Sequence, residues 1–175
     1  MHRKIDSVVI ECVEGDITAQ EGIGAVVNAA NAQLRPGGGV AGAIHRAAGP
    51  ELDQACRPLA PIRPGEAVIT PAFGLPNKHV IHCLGPVYGR DEPSADLLGS
   101  CYRHALKLAD EARLESVAFP AISTGVFGYP VDQAAQVALA AVAAEAPNLH
   151  HVRLVRFVLW NAEALTAHER VLEAL

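Results

Sequence analysis

Two glycine-rich segments are the parts of this sequence whose residue types and spacing point most directly to ligand chemistry. Residues 37–42 (GGGVAG) precede a predicted helix, and residues 123–128 (STGVFG) lie between a predicted strand and the next helix. Glycine lets the backbone approach a ligand closely, and a helix N-terminus presents unpaired N–H groups and a positive dipole end. Both segments therefore predict backbone binding of phosphate, with a flexible turn as the alternative.

The first of these segments does not match the dinucleotide fingerprint in its surroundings. Gly37, Gly39 and Gly42 satisfy the pattern G-x-G-x-x-G, but eight residues separate Gly37 from Asn28, where the preceding predicted strand ends. The fingerprint needs its glycine directly after the strand, so a nicotinamide-dependent oxidoreductase is disfavoured. Neither segment contains the G-K-[ST] of nucleoside triphosphatases. Two such loops at strand ends indicate instead one extended phosphate ligand held from both sides.

A third candidate is Asp16, which follows the first predicted strand in the run Glu14-Gly15-Asp16-Ile17-Thr18. Its carboxylate would accept a hydrogen bond from an exocyclic amine such as that of adenine. The alternative, which these residues alone favour, is that Asp16 or Thr18 caps the turn that follows.

The charge balance limits the classes of partner. The 175 residues include 14 Lys and Arg against 19 Asp and Glu, which gives a formal net charge of −5. Nucleic acids and anionic membranes are bound through many cationic contacts, so both are unexpected partners, and an RNA-binding regulator is a weak alternative. No apolar stretch of signal-peptide length follows the N-terminus. We expect a cytoplasmic monomer whose residues 1–175 form one domain.

The histidines and cysteines do not predict a metal site. His79 and His82 fall on a predicted strand, where side chains three positions apart point to opposite faces. No H-E-x-x-H motif or Cys/His cluster occurs. The four cysteines lack a C-x-x-C pair and have apolar neighbours, which predicts buried structural thiols.

The segments between the candidates predict an α/β fold. Strands are predicted over residues 7–13, 25–28, 67–70, 80–84, 117–121 and 152–160, and helices over 39–48, 50–57, 97–113, 131–146 and 162–174. Alternation of helix and strand in the later half indicates a parallel sheet between helices, and neighbouring strands in the earlier half make the sheet mixed. We expect a three-layer α/β/α sandwich with a mixed central sheet.

Several segments together resemble the macrodomain family of ADP-ribose-binding modules. They are residues 15–18 (GDIT), 27–31 (VNAAN), 37–48 (GGGVAGAIHRAA), 65–70 (GEAVIT), 80–86 (VIHCLGP) and 122–130 (ISTGVFGYP). The resemblance runs through nearly the whole chain and is strongest to the branch containing O-acetyl-ADP-ribose deacetylases and mono-ADP-ribosyl hydrolases. It implies a macrodomain-like α/β/α fold, ADP-ribose or ADP-ribosylated protein as ligand, and no separate cofactor.

The resemblance also implies which residues bind adenine. Asp16 would bind the exocyclic amine, and the backbone of Ile17 would bind the ring edge. Trp160 stands where the family often has an aromatic residue beside adenine, and Asn161 stands where an Asp is common.

For the rest of the ligand, the resemblance assigns the diphosphate to the two glycine loops, through Gly38, Gly39, Val40, Ser123, Thr124, Gly125, Val126 and Phe127. Phe127 would also close over the distal ribose, and Asn28 is expected among the ligand-binding residues. Asn31 would bind the distal ribose and orient the attacking water, and His45 would have a catalytic or supporting role.

One position departs from the hydrolases of this branch. Many of them carry Asp where this chain has Ala41, and that carboxylate is proposed to activate water. Other macrodomains with GGGVAG include active hydrolases. General-base assistance contributes roughly 10²–10⁴-fold in rate. Two functions therefore stay open: hydrolysis of an ADP-ribose ester, with the substrate's own phosphate acting on a water held by Asn31, and a reader that binds ADP-ribose without turnover.

Overall fold

A seven-stranded mixed sheet lies between two layers of helices in the computed structural model, which describes all residues from Met1 to Leu175. The strands are β1 (His2–Ile5), β2 (Val8–Glu14), β3 (Ala25–Ala29), β4 (Ala67–Pro71), β5 (His79–Cys83), β6 (Ser116–Phe119) and β7 (Leu154–Leu159). The helices are α1 (Gly39–Ala48), α2 (Pro50–Cys56), α3 (Ser94–Glu111), α4 (Val131–Glu145) and α5 (Ala162–Ala174). The expected three-layer sandwich with a mixed sheet is confirmed.

Two elements differ from the sequence-based expectation. Strand β1 was not predicted; its residues alternate between exposed and half-buried at the sheet edge, where it pairs antiparallel with β2. Helix α3 begins at Ser94, three residues before the predicted start. The Ser94 hydroxyl donates to the carbonyl of Asp91 (2.6 Å), a turn contact that apolar periodicity does not reveal.

The strand order determines where the loops lie. Along the sheet it is β1-β2-β7-β6-β3-β5-β4, and the five inner strands run parallel while β1 and β4 are antiparallel. The carboxyl ends of β2, β7, β6, β3 and β5 therefore share one edge of the sheet, which we call the strand-end edge. The segments leaving it are residues 15–24, 160–161, 120–130, 30–38 and 84–93.

Two apolar cores hold the layers together, one on each face of the sheet. The larger contains 31 buried residues under α3, α4 and α5, and in it the rings of Tyr102 and Phe119 lie 4.9 Å apart. The smaller contains 16 buried residues under α1 and α2. Alanines predominate on the buried face of α4, which lets that helix pack closely on the sheet.

All four cysteines are buried and free, which confirms that part of the expectation. Burial raises the pKa of Cys12 to about 12 and that of Cys56 to about 11, so these thiols stay protonated and unreactive. None of the helices combines the length and apolarity needed to cross a membrane.

Asp110, near the end of α3, fixes the connection that leads into β7. Its carboxylate accepts hydrogen bonds from the backbone N–H groups of His150, His151 and Val152, at 2.7–3.1 Å. Partial burial acts to raise the pKa of Asp110, but these N–H donors outweigh it and hold the pKa below its usual range. The charged form is therefore the one that stabilises the fold.

We expect Asp110→Ala to lower the free energy of unfolding by about 1–3 kcal/mol, because three backbone donors lose a charged acceptor. The contribution of the Asp110 carboxylate to the free energy of unfolding is present above the unfolded-state pKa of about 4. It is lost as the pH falls through the depressed folded-state pKa. Urea unfolding at pH 7 and at pH 3 measures both effects. The control is Glu111→Ala on the exposed side of the same helix, and equal stability losses in the two variants would contradict the assignment.

Candidate functional site

The first glycine loop (residues 37–42) leads into α1 with its amide groups open. Gly38 is the N-cap and offers no side-chain acceptor, and the first backbone bond of the helix is from Gly42 N–H to Gly38 C=O at 3.2 Å. The N–H groups of Gly39, Val40 and Ala41 thus have no partner within the helix. Such a helix start can bind an anion, as the sequence predicts.

Gly42 lets this loop fold back over the helix. A Cβ at Gly42 would overlap the backbone carbonyl of Gly37 and would approach the Arg46 guanidinium at 3.0 Å. The carbonyl belongs to the backbone and cannot turn aside, so any side chain here must displace the loop. Gly39 also has a left-handed backbone, with φ of +55°.

Asn31 closes the segment between β3 and the first glycine loop. Its Nδ2 donates to the Arg35 carbonyl (2.8 Å), and its Oδ1 accepts from the Arg35 N–H (3.0 Å). The Arg35 Nε in turn pairs with Asp53 Oδ1 at 3.0 Å. An amide has two N–H groups and two oxygen lone pairs, so Asn31 keeps one of each for another partner. Its side chain is therefore oriented before any ligand arrives.

The second glycine loop (residues 123–128) begins with a strained residue. Ser123 has φ of +69°, is buried, and has a hydroxyl without a hydrogen-bond partner. Its side chain lies directly over Gly85, where a Cβ would overlap Ser123 Oγ. Left-handed non-glycine residues and unpaired buried hydroxyls are both uncommon and cluster at functional sites.

The side chains farther along the second glycine loop differ in exposure. The Thr124 hydroxyl donates to the Ala121 carbonyl at 2.8 Å, so it stabilises the loop itself. Val126 is 100% exposed at the tip. Phe127 is half-buried against the smaller core. Only Phe127 thus has the support needed to hold a fixed position beside a ligand.

A further loop, residues 84–93, supports the second glycine loop, a role that the sequence motifs did not predict. Tyr88 N–H donates to the Phe127 carbonyl at 2.9 Å, and the Tyr88 ring lies 4.8 Å from that of Tyr129. The signal that could have revealed this loop is Gly85-Pro86, which directly follows a predicted strand.

Asp16 and Trp160 lie at neighbouring strand ends, since Gly15 N–H donates to the Leu159 carbonyl at 3.0 Å. Asp16 caps the short turn that follows: its Oδ1 accepts from the Thr18 hydroxyl (2.7 Å) and the Thr18 N–H (2.8 Å). These bonds, the hydroxyl first, hold the pKa of Asp16 below its usual range. Its Oδ2 accepts no bond from the protein. The capping role is thus present, and one carboxylate oxygen stays free.

The other residues assigned to adenine have distinct environments. Ile17 is buried in the smaller core. Trp160 is 86% exposed, so its ring has a free face. Asn161 is the N-cap of α5, and its Oδ1 accepts from the Ala164 N–H at 2.8 Å. Asparagine replaces aspartate in this capping role without loss of the bond.

Asn28 belongs to a buried polar cluster under α1 and α2. Its Nδ2 lies 3.1 Å from His82 Nδ1, and His82 Nε2 lies 3.0 Å from Thr70 Oγ1 and 3.6 Å from Cys56 Sγ. With Asn28 donating to Nδ1, the imidazole is neutral and Nε2–H donates to Thr70. Burial, helped by nearby His45, lowers the pKa of His82 to about 3. Asn28 Oδ1 is buried without a partner.

His45 is enclosed rather than open to the strand-end edge. It is 6% exposed, and neither ring nitrogen has a hydrogen-bond partner. Burial lowers the pKa of His45 and Arg35 acts in the same direction, against an opposing effect of Asp53. A neutral, enclosed imidazole beside His82 suits a supporting position better than direct contact with a ligand.

The candidate groups are spread along the strand-end edge. Asp16 follows β2, the second glycine loop follows β6, and Asn31 with the first glycine loop follows β3. In the order β2-β7-β6-β3 these loops span three strand spacings, roughly 14 Å. An extended ligand fits this arrangement. No group of three or more His, Cys, Asp or Glu side chains is placed to hold a metal ion.

Comparison with known proteins finds relatives along nearly the whole chain. A family model, Macro domain, matches residues 27–138. An O-acetyl-ADP-ribose deacetylase of Salmonella typhimurium is 46% identical over 168 residues, which is 93% of this chain and 93% of the relative. An Oceanobacillus iheyensis macrodomain solved with ADP has a TM-score of 0.94 at 40% identity, covering 99% of this chain and 95% of that one. A variant of that macrodomain solved with ADPR has a TM-score of 0.93 at 38% identity, covering 99% and 97%.

The buried His82 predicts a pH-dependent stability. An unfolded histidine has a pKa of about 6.5, so below that pH the unfolded chain binds a proton that folded His82 excludes. The contribution of neutral His82 to the free energy of unfolding is fully present above pH 6.5. It is lost by about 1.4 kcal/mol per pH unit as the pH falls toward the folded-state pKa.

We expect His82→Gln to reduce the slope of the free energy of unfolding against pH between pH 6 and pH 4, measured by urea unfolding. This expectation holds whatever the effect of the substitution on stability at pH 7. His150→Gln, which removes an exposed imidazole, is the matched control. Parallel slopes for wild type and His82→Gln would contradict the interpretation.

Proposed function

Because this chain belongs to the macrodomain family, we propose that it binds ADP-ribose and hydrolyses ester-linked ADP-ribose derivatives with a positioned water. The substrates are O-acetyl-ADP-ribose and proteins mono-ADP-ribosylated on acidic side chains. One observation carries the binding proposal: Asp16, the two glycine loops and Asn31 leave successive strand ends along one edge. Two similar solved macrodomains, one with ADP and one with ADPR, support it.

The diphosphate is bound by neutral backbone groups in this proposal. The open N–H groups of Gly39 and Val40 at the start of α1 face it from one side, and the second glycine loop, with Ser123 to Phe127, faces it from the other. This arrangement needs close backbone approach rather than Lys or Arg. A chain with a net charge of −5 can therefore bind a single diphosphate.

The adenine lies at the β2 and β7 strand ends. The free Oδ2 of Asp16 accepts a hydrogen bond from the exocyclic amine, and the backbone of Ile17 contacts the ring edge. Trp160, with its exposed ring, packs against the base.

Hydrolysis takes place at the distal ribose, beside β3. Asn31, held by Arg35, uses its remaining N–H and lone pair to bind the ribose and orient a water. In deacetylation the water oxygen attacks the acetyl carbonyl, and its proton passes to a phosphate oxygen of the substrate. The ester C–O bond then breaks, the ribose oxygen takes up the proton, and acetate and ADP-ribose leave. The similar Salmonella deacetylase supports this reaction.

Ala41 places no carboxylate at the start of α1 to act as base; its methyl group is buried in the first turn. The rate gain in this chain then rests on positioning and on electrostatic stabilisation by the loops. His45, enclosed within α1, takes the supporting role in this proposal. Ala41 favours the second candidate function, a reader that binds ADP-ribose or ADP-ribosylated protein without turnover, whereas Asn31 and His45 favour the enzyme.

We expect calorimetric titration to detect binding of ADP-ribose and ADP by the wild type. Gly42→Ala should weaken ADP-ribose binding by about tenfold or more, because displacing the loop from Gly37 costs about 1–3 kcal/mol of hydrogen bonding. The control is Gly99→Ala in α3, where the added Cβ meets the flexible end of Arg103. A wild type that fails to bind ADP-ribose, or equal affinities in both variants, would defeat the assignment.

Turnover of O-acetyl-ADP-ribose distinguishes the enzyme from the reader. We expect slow hydrolysis by the wild type, a large loss of kcat in Asn31→Ala, and a gain of roughly 10²-fold in Ala41→Asp if a missing base limits the rate. Asn148→Ala, which removes an exposed asparagine elsewhere, is the control for Asn31. Binding without turnover in both the wild type and Ala41→Asp would establish the reader instead.

A further inference from the structure

We infer that Gln20 and Arg156 are positioning residues that hold Asp16 in place and thereby make the site select adenine over hypoxanthine. This inference rests on the proposed function, since it assumes that Asp16 binds the base.

Gln20 connects the interior of the sheet to the backbone of Asp16. It is only 8% exposed, and both ends of its amide are bonded. Its Nε2 donates to the Asp16 carbonyl at 2.7 Å, and its Oε1 accepts from Arg156 NH1 at 3.0 Å. A guanidinium can only donate, so Oε1 must face Arg156 and Nε2 must face Asp16. The charge of Arg156 therefore sets the direction of the Gln20 amide.

Arg156 is itself fixed between two strands. It lies on β7 directly opposite Glu11 on β2, and its Nε pairs with Glu11 Oε1 at 2.6 Å. Both side chains are about a quarter exposed, which limits the screening of this pair by solvent. The guanidinium thus has one group bound to Glu11 and another to Gln20, with little freedom to turn.

Asp16 is consequently held through both its side chain and its carbonyl. Its Oδ1 is tied to Thr18, and its carbonyl accepts the short bond from Gln20 and a longer one from the Ala19 N–H (3.1 Å), so its Oδ2 has one direction in which to accept a hydrogen bond. Adenine presents an exocyclic N–H donor at this position of the ring, and hypoxanthine presents a carbonyl oxygen. A fixed carboxylate binds the donor and repels the acceptor, whereas a carboxylate free to swing away rejects hypoxanthine less strongly.

Asn77 offers a comparison within the same segment. Its Nδ2 donates to the carbonyls of Gln20 and Ile23, both at 2.8 Å. These bonds hold the backbone of Gln20 and Ile23, and neither involves the Gln20 amide group or Asp16. Loss of Asn77 should loosen the segment without removing the bond from the Gln20 amide to the Asp16 carbonyl.

The test measures the affinities of ADP and inosine 5′-diphosphate by calorimetry for the wild type, Gln20→Met, Arg156→Met and the double variant. We expect the wild type to prefer ADP by about tenfold or more. Each single variant should reduce the ratio of the affinity for ADP to that for inosine 5′-diphosphate by a similar factor. The double variant should reduce this ratio by little more, because both residues act through one contact.

Two further variants separate positioning from folding. Gln20→Glu keeps the contact with Arg156 but sets a carboxylate oxygen against the Asp16 carbonyl, so it should also lower the ratio while the protein stays folded. Asn77→Ala should lower the melting temperature and leave the ratio unchanged.

A ratio that stays at the wild-type value in Gln20→Met and Gln20→Glu overturns the inference, as does a wild type that binds the two nucleotides equally. Both of these results leave ADP-ribose binding intact. A wild type that binds neither ADP nor ADP-ribose overturns the proposed function as well, which distinguishes the two failures.

Discussion

The parallel pairing of β2, β7, β6, β3 and β5 is the constraint on which the rest of the structure depends. Backbone hydrogen bonds fix these strands in one direction, so five segments far apart in the chain leave the sheet at the same edge. Apolar cores on both faces of the sheet make this arrangement stable. Every candidate group, from Asp16 to Trp160, takes its place from that pairing and not from its neighbours in sequence.

Backbone geometry rather than charge determines how this edge can bind a ligand. The start of α1 offers unpaired N–H groups, and the absence of a side chain at Gly42 keeps the first glycine loop folded over it. Ser123, strained and buried on Gly85, fixes the start of the second glycine loop. A polyphosphate site built in this way is compatible with an acidic chain, because amide dipoles replace cationic side chains.

Buried polar contacts then connect the elements beneath the strand-end edge. His82 binds Asn28 and Thr70 under α1, and Gln20 links Arg156 to Asp16 under the β2 strand end. The first set of contacts joins β3, β5 and β4, and the second joins β7 to the segment that follows β2. Buried polar groups are costly unless paired, so these bonds favour one loop conformation over its alternatives.

The sequence by itself determined the identity and order of most helices and strands, the two glycine loops and the resemblance to the macrodomain family. These features are local: apolar periodicity, β-branched runs and glycine positions show which element forms and where it ends. Strand β1 was missed because a short edge strand buries too little to impose a pattern. Only the tertiary structure decided that His45 is enclosed, that Tyr88 supports Phe127, and that Arg156 reaches Gln20 across 136 positions of chain. Such contacts follow from strand register and layer packing, which bring together residues whose separation in sequence carries no signal of their meeting.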